Sequence, residues 1–140
     1  MKVQTTRFGD IDVDDAQVIT LASGLLGFEA VTEYCLIPHA PASPFRWLQA
    51  VAVPELAFVV INPYDFFADY DIAVPAADAG RLGLHDPHDV AVLTLVTIRE
   101  REMTTNLVGP IVVNMRARLA AQVVLADSPY SVRHALVRAA

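Results

Sequence analysis

The sequence predicts a mainly β domain with one short helix, and three observations carry that prediction. Apolar residues come in short runs rich in Val, Ile and Leu, which is strand composition. Nine prolines, with pairs such as Gly9-Asp10, Asn62-Pro63 and Gly109-Pro110, cut these runs apart. Only Pro75-Ala76-Ala77-Asp78-Ala79-Gly80-Arg81-Leu82-Gly83 sets a proline at a helix start and a glycine at its end. A chain of 140 residues reads as one domain over 1–140, with room to bury about 70% of its unfolded surface without metal or disulfide.

In chain order, residues 3–8 have strand composition and stop at the turn pair Gly9-Asp10. Ile11-Asp12-Val13 alternates and Val18-Ile19-Thr20-Leu21 resumes, so three short strands joined by tight turns are expected. Ser23-Gly24-Leu25-Leu26-Gly27-Phe28 lacks the Lys-Ser/Thr of a phosphate loop. It reads instead as a turn that plugs Leu25, Leu26 and Phe28 into the core. Residues 31–37 form a strand ended by Pro38, and a proline-rich loop follows over 39–44. In the next strand Phe45, Trp47 and Gln49 share one side while Arg46, Leu48 and Ala50 share the other. Residues 56–61 are apolar on both faces, which predicts a central strand or barrel wall with Phe58 in the core. Asn62-Pro63 ends it, because proline lacks a donor and restricts the residue before it.

Residues 64–71 follow, in which Tyr64, Phe66, Phe67 and Tyr70 alternate with Asp65, Asp69 and Asp71. Exposed, this is an aromatic-acidic surface of the kind protein interfaces use; buried, the aromatics plug one end of the fold and the acids are solvated. Ile72-Ala73-Val74 continues as strand, then comes the helix, then a long apolar strand over 89–98 and the charged turn Arg99-Glu100-Arg101-Glu102. Thr104-Thr105-Asn106 forms a polar knot closed by Gly109-Pro110, with Asn106 bonded to nearby backbone. The β-branched runs 111–113 and 123–125 flank a short basic link, the pattern of a hairpin. Residues 132–140 form a tail, either a frayed helix or an extended arm.

Charge and chemistry narrow the function. Sixteen acids against ten scattered bases give a net charge of −6, which argues against direct nucleic-acid binding and suits a basic protein partner. No run approaches the ~18 uncharged apolar residues of a membrane span, and the first residues lack the apolar core of a secretion signal. The single cysteine, Cys35, sits in a strand pattern as a small buried hydrophobe, so a cytoplasmic protein is expected. His85-Asp86-Pro87-His88-Asp89 gathers ligand-type residues, but Pro87 forces a turn and no third histidine stands at ligand spacing. Neither a Gly-x-Ser-x-Gly elbow nor an activated thiol is present, so no catalytic residues, metal or cofactor are assigned.

Several motifs occur in an order that resembles the FliW flagellar assembly factors. They are Phe8-x-x-Ile11, Gly24-Leu25-Leu26-Gly27-Phe28-Glu29, Phe45-x-Trp47-Leu48-Gln49 and Leu56-Ala57-Phe58. Asn62-Pro63 with Tyr70, Leu82-Gly83-Leu84, and the specific block Met103-Thr104-x-Asn106-Leu107-x-x-Pro110-Ile111-Val112-x-Asn114 follow, then Gln122 and Tyr130. The resemblance covers residues 5–134 and departs at the turn over 116–121, where Lys and Gly are expected and Leu119-Ala120-Ala121 stands. It implies a compact, antiparallel, barrel-like β fold and a regulator that is not an enzyme. It also implies two partners: the RNA-binding translational repressor CsrA, which such proteins antagonise, and flagellin, whose translation is thereby coupled to export. A dedicated flagellin chaperone without CsrA antagonism, or a β-barrel small-molecule or metal-binding enzyme, are the competing readings. For docking, Tyr64, Asp65, Phe66, Asp69, Tyr70 and Asp71 are the expected contacts. Trp47, Phe58 and Leu107 are expected to be largely buried.

Overall fold

The computed structural model describes residues 1–136 and holds a closed seven-stranded barrel. Its wall runs β7–β6–β5–β4–β3–β10–β9 and closes where β9 returns to β7. The strands are β1 (Lys2–Thr5), β2 (Gly9–Asp12), β3 (Val18–Leu21), β4 (Glu33–Pro38), β5 (Phe45–Ala50) and β6 (Ala57–Ile61). After the helix α1 (Ala76–Leu82) come β7 (Val90–Arg99), β8 (Glu102–Thr105), β9 (Ile111–Asn114), β10 (Leu119–Gln122) and β11 (His134–Ala135). All wall pairings are antiparallel except β10 with β3, a parallel seam joining Leu119 to Thr20 and Ala120 to Leu21. No helix among the described residues is long and apolar enough to cross a membrane.

Alternation along the strands divides inside from outside. Leu48, Ala50, Val60, Leu93, Ile111 and Val113 join Ile19, Leu21, Leu25 and Tyr34 in the barrel core. Three parts of the chain cover the outer wall. The β1–β2 hairpin packs Val3 and Val13 against Cys35. Helix α1 brings Leu82 onto Val112 and Val123. It ends as the sequence predicts, with Gly83 in the left-handed conformation (φ +66°) that a side chain would strain. The turn after β6, residues 63–65, touches β7, and Ile61 and Thr94 are fully buried although they face outward.

Several expectations are corrected. Gly9 and Asp10 lie within β2, and the turn before it is residues 6–8. Residues 24–28 fully bury only Leu25; Phe28 N–H bonds Leu25 O, and the tight reversal turns Leu26 outward and leaves Phe28 part-exposed with its ring edge-on to Phe58. Residues 72–74 form no strand, because Ile72 and Val74 bury their side chains beneath α1 without pairing their backbone. Thr104 and Thr105 belong to β8. The second hairpin strand is β10, not 123–125. The hairpin register does continue, since Val123 N–H bonds Pro110 O and Leu125 N–H bonds Val108 O. The return bonds are missing: Pro110 has no N–H, and that of Val108 is taken by Asn106. In the tail, His134 and Ala135 form β11, which pairs antiparallel with β8, and residues 137–140 lie outside the described residues.

Candidate protein-docking face

The sequence motifs converge first on a scaffold. Strands β8 and β9 run along the same edge of β7, but Val96 pairs with Thr105 while Leu93 pairs with Ile111. Thr94 and Leu95 therefore stand opposite five residues, 106–110, which leave the ladder as a wide bulge. Buried backbone of this kind needs a partner for every polar group. Asn106 Oδ1 accepts from Val108 N–H and Gly109 N–H, both at 3.0 Å. Tyr70 O–H donates to Leu107 O at 2.7 Å, and Leu107 N–H reaches Ser131 O at 3.1 Å. Gln122 Nε2 donates to Gly109 O at 3.0 Å while its Oε1 accepts from Leu26 N–H at 2.9 Å. A Cβ on Gly109 would stand 3.0 Å from Gln122 Nε2 and 3.1 Å from Asn106 Nδ2, so the bulge has little space for a side chain there. Thr105 Oγ1 anchors the start on Thr94 Oγ1 at 2.7 Å. Thr104 pairs with Thr97, and Pro110 is buried where β9 begins.

Two further motif residues are staples. Gln49 is fully buried, its Nε2 within 3.1 Å of Leu56 O and 3.2 Å of Pro54 O, so it holds the β5–β6 turn. Asn62 Oδ1 accepts from Tyr64 N–H at 3.0 Å and caps a 3-10 turn, Pro63–Asp65, with Pro63 buried in its first position. Leu48 and Leu107 are core.

The loop over 64–71 is divided by the fold. Tyr64, Asp65, Asp69 and Asp71 are exposed, Phe66 and Phe67 are half-buried, and Tyr70 is buried. Tyr70 therefore presents no surface to a partner, contrary to its place among the expected contacts; its hydroxyl belongs to the bulge. Burial raises its pKa above the ordinary phenol range, with Tyr64 and Tyr130 adding to the shift. Tyr64 is raised too, by burial first and then by the charge of Asp71. Tyr130 fixes the loop's far end, its hydroxyl accepting from Asp71 N–H at 2.8 Å and its ring lying 4.8 Å from that of Tyr70. The acids thus stand on a braced loop.

Beside this loop lies a surface the sequence did not single out. Trp47 and Phe58 are only half-buried, against expectation: Phe58 faces inward onto Tyr34 (6.2 Å), but Trp47 faces out. Trp47, Val59, Ile98 and Met103, with Phe45, His39, Ser43 and Pro44, line an open apolar groove of about 470 Å³. Its outward residues come from four strands, so no single stretch announces it. Phe45 stacks 6.3 Å from Phe66, Phe66 6.4 Å from Phe67, and Phe67 4.8 Å from His134, joining groove and loop by one aromatic row. At the other end Arg7 stands 4.4 Å over the Trp47 ring, and Phe8 meets the same ring edge-on at 5.6 Å. Two signals were visible: Phe45 and Trp47 share one side of their strand, and Ile98 and Met103 are apolar residues flanking a charged turn.

Elsewhere the side chains do local work. Asp86 Oδ1 accepts from His88 N–H at 3.0 Å, which lowers the carboxyl pKa, and no three His, Cys, Asp or Glu converge among the described residues. Cys35 is buried, and burial raises its thiol pKa.

Fold and face together define a small closed barrel, filled by side chains, with an exposed aromatic and acidic surface on its outer wall. The chain belongs to the FliW family: the model of the FliW protein family matches residues 2–136. A flagellar assembly factor FliW of Magnetococcus marinus is 46% identical over 98% of this chain and 85% of that protein. One of Geobacter sulfurreducens is 40% identical over 96% of the chain and 85% of that protein. A crystal structure of a flagellar assembly factor FliW superposes with a TM-score of 0.90 at 31% identity, covering 99% of this chain and 98% of the other.

Proposed function

We propose that this chain is a cytoplasmic flagellar assembly factor that works by binding proteins. It binds and antagonises the translational repressor CsrA, and it also binds flagellin, so that flagellin synthesis follows export. The observation that carries this reading is family membership along nearly the whole chain, with the family's motif residues forming one connected scaffold. A repressor that binds RNA must be basic, and Asp65, Asp69 and Asp71 offer it exposed carboxylates on a rigid loop of a −6 protein. Charge, not RNA mimicry, is the basis of this assignment. A second reading has one observation in its favour. The sequence departs from the family pattern at Leu119-Ala120-Ala121, which the fold places at the start of β10, just after the 115–118 turn, and that departure suits a chaperone of flagellin alone.

Co-elution on a sizing column separates the two. The first reading expects a complex with purified CsrA and another with purified flagellin monomer. Flagellin alone in complex would establish the second, and neither would end both.

A further inference from the structure

We propose that the apolar groove over β5–β8 is the docking site for an amphipathic helix of a protein partner, one that carries carboxylates beside its apolar stripe. This rests on the reading that the chain works by binding proteins, and it adds a site and a ligand chemistry to it. The groove is the part of the outer wall that the hairpin, α1 and the 64–71 loop leave uncovered, and Ile98 is 58% exposed there.

Two observations select a helix over an extended segment. Strands β5, β6 and β7 are hydrogen-bonded on both edges, and β11 occupies the free edge of β8, so the floor offers side chains and no main-chain ladder. Four strands at about 4.8 Å spacing span about 14 Å, floor enough for one helix, which is about 10–12 Å across with its side chains. The chain itself covers the outer face of β9 and β10 with a helix, α1.

Charge selects the flank of that helix. Among the described residues the groove is lined by no carboxylate, in a chain with sixteen Asp and Glu. The charge at its Trp47 end is Arg7, an exposed residue just outside the lining whose guanidinium lies over the Trp47 ring and is in no ion pair among the described residues. A carboxylate one turn along from an apolar anchor meets that guanidinium; a lysine at the same place meets a like charge. The groove therefore excludes a basic helix, whereas the aspartates of residues 64–71 attract basic partners. One face thus holds two neighbouring surfaces of opposite preference, joined through Phe45 and Phe66.

Trp47 is the single tryptophan of the chain, so its fluorescence reports occupancy of the groove without a label. The probe is a synthetic amphipathic helical peptide with Leu at i, i+3, i+4 and i+7 and Glu on its flanks, compared with the same peptide flanked by Lys. The Glu peptide is expected to shift the Trp47 emission saturably, and the Lys peptide to bind about fivefold more weakly. Ile98→Asp, at an exposed site, should abolish the shift while the thermal midpoint holds. Arg7→Glu should reverse the order of the two peptides, which a merely structural role for Arg7 would not do. An absent Trp47 response, an unaffected Ile98→Asp, or an unreversed preference in Arg7→Glu would overturn the proposal. None of these arms uses CsrA or flagellin, so failure here leaves the co-elution result standing, and the converse holds too.

Discussion

Two buried tyrosines show how much a single hydroxyl can matter. Tyr70 donates to Leu107 O inside the bulge, whereas the hydroxyl of Tyr34 has no partner among the described residues. Tyr70→Phe leaves a buried carbonyl unpaired and should cost about 1–3 kcal/mol; Tyr34→Phe removes an unpaired group and should be neutral or stabilising. Denaturant unfolding of the two variants checks the contrast. The same residues set an alkaline limit. Tyr34, Tyr64 and Tyr70 all have pKa values raised in the folded protein, chiefly by burial. Raised values mean that the folded state holds these protons more tightly than the unfolded chain. Their contribution is whole below the unfolded phenol value of about 10 and is lost as pH climbs from there through the folded values. The thermal midpoint should therefore fall on moving from pH 9 to pH 11, and fall less in Tyr70→Phe. Asn106→Ala strips the acceptor from two N–H groups of the bulge and should lower stability by about 1–3 kcal/mol with partner affinity kept. Lost binding at an unchanged midpoint would make Asn106 a contact residue instead.

Among the elements, those with strong local signals were legible and those defined by distant pairing were not. Proline and glycine marked α1 within a residue, and the apolar run announced β7. Residues 72–74 and 123–125 have strand composition because they are buried on α1's side of the wall, and composition reports burial before it reports pairing. Asn106 was readable as a turn residue, since its side chain acts within three positions of itself. The parallel seam of β3 with β10 and the three-residue slip between β8 and β9 are facts of tertiary register, invisible to any window. The groove escaped for the same reason, being assembled from alternate residues of four strands. Phe58, half-buried yet facing inward against Phe28 at 5.1 Å, should cost about 3 kcal/mol on truncation to Ala, the lower end for a core phenylalanine. At the loop, Asp69→Lys with Asp71→Lys should slow association with CsrA and weaken its salt dependence with folding intact. Association at the wild-type rate in both low and high salt would remove the loop from the docking surface.

For the molecule as a whole, the barrel has a scaffold made of its polar motif residues, and a face left open beside it that the motif residues Phe45, Trp47 and Met103 help to line. The motif side chains Asn106, Gln122, Gln49 and Asn62 spend their hydrogen bonds on backbone, which makes them scaffold and leaves Tyr64, the aspartates and the groove as the surfaces proposed for partners. On the proposed function, a net charge of −6 suits a basic RNA-binding partner and gives the chain no affinity of its own for RNA phosphates. The most direct test of that account is a mobility-shift titration at physiological salt with a labelled RNA that CsrA retards. This chain alone should leave the RNA unshifted, and added to the CsrA–RNA complex it should return the RNA to its free position, with flagellin monomer restoring the shift. A retarded band formed by the chain itself, or a CsrA–RNA band indifferent to its addition, would contradict the account.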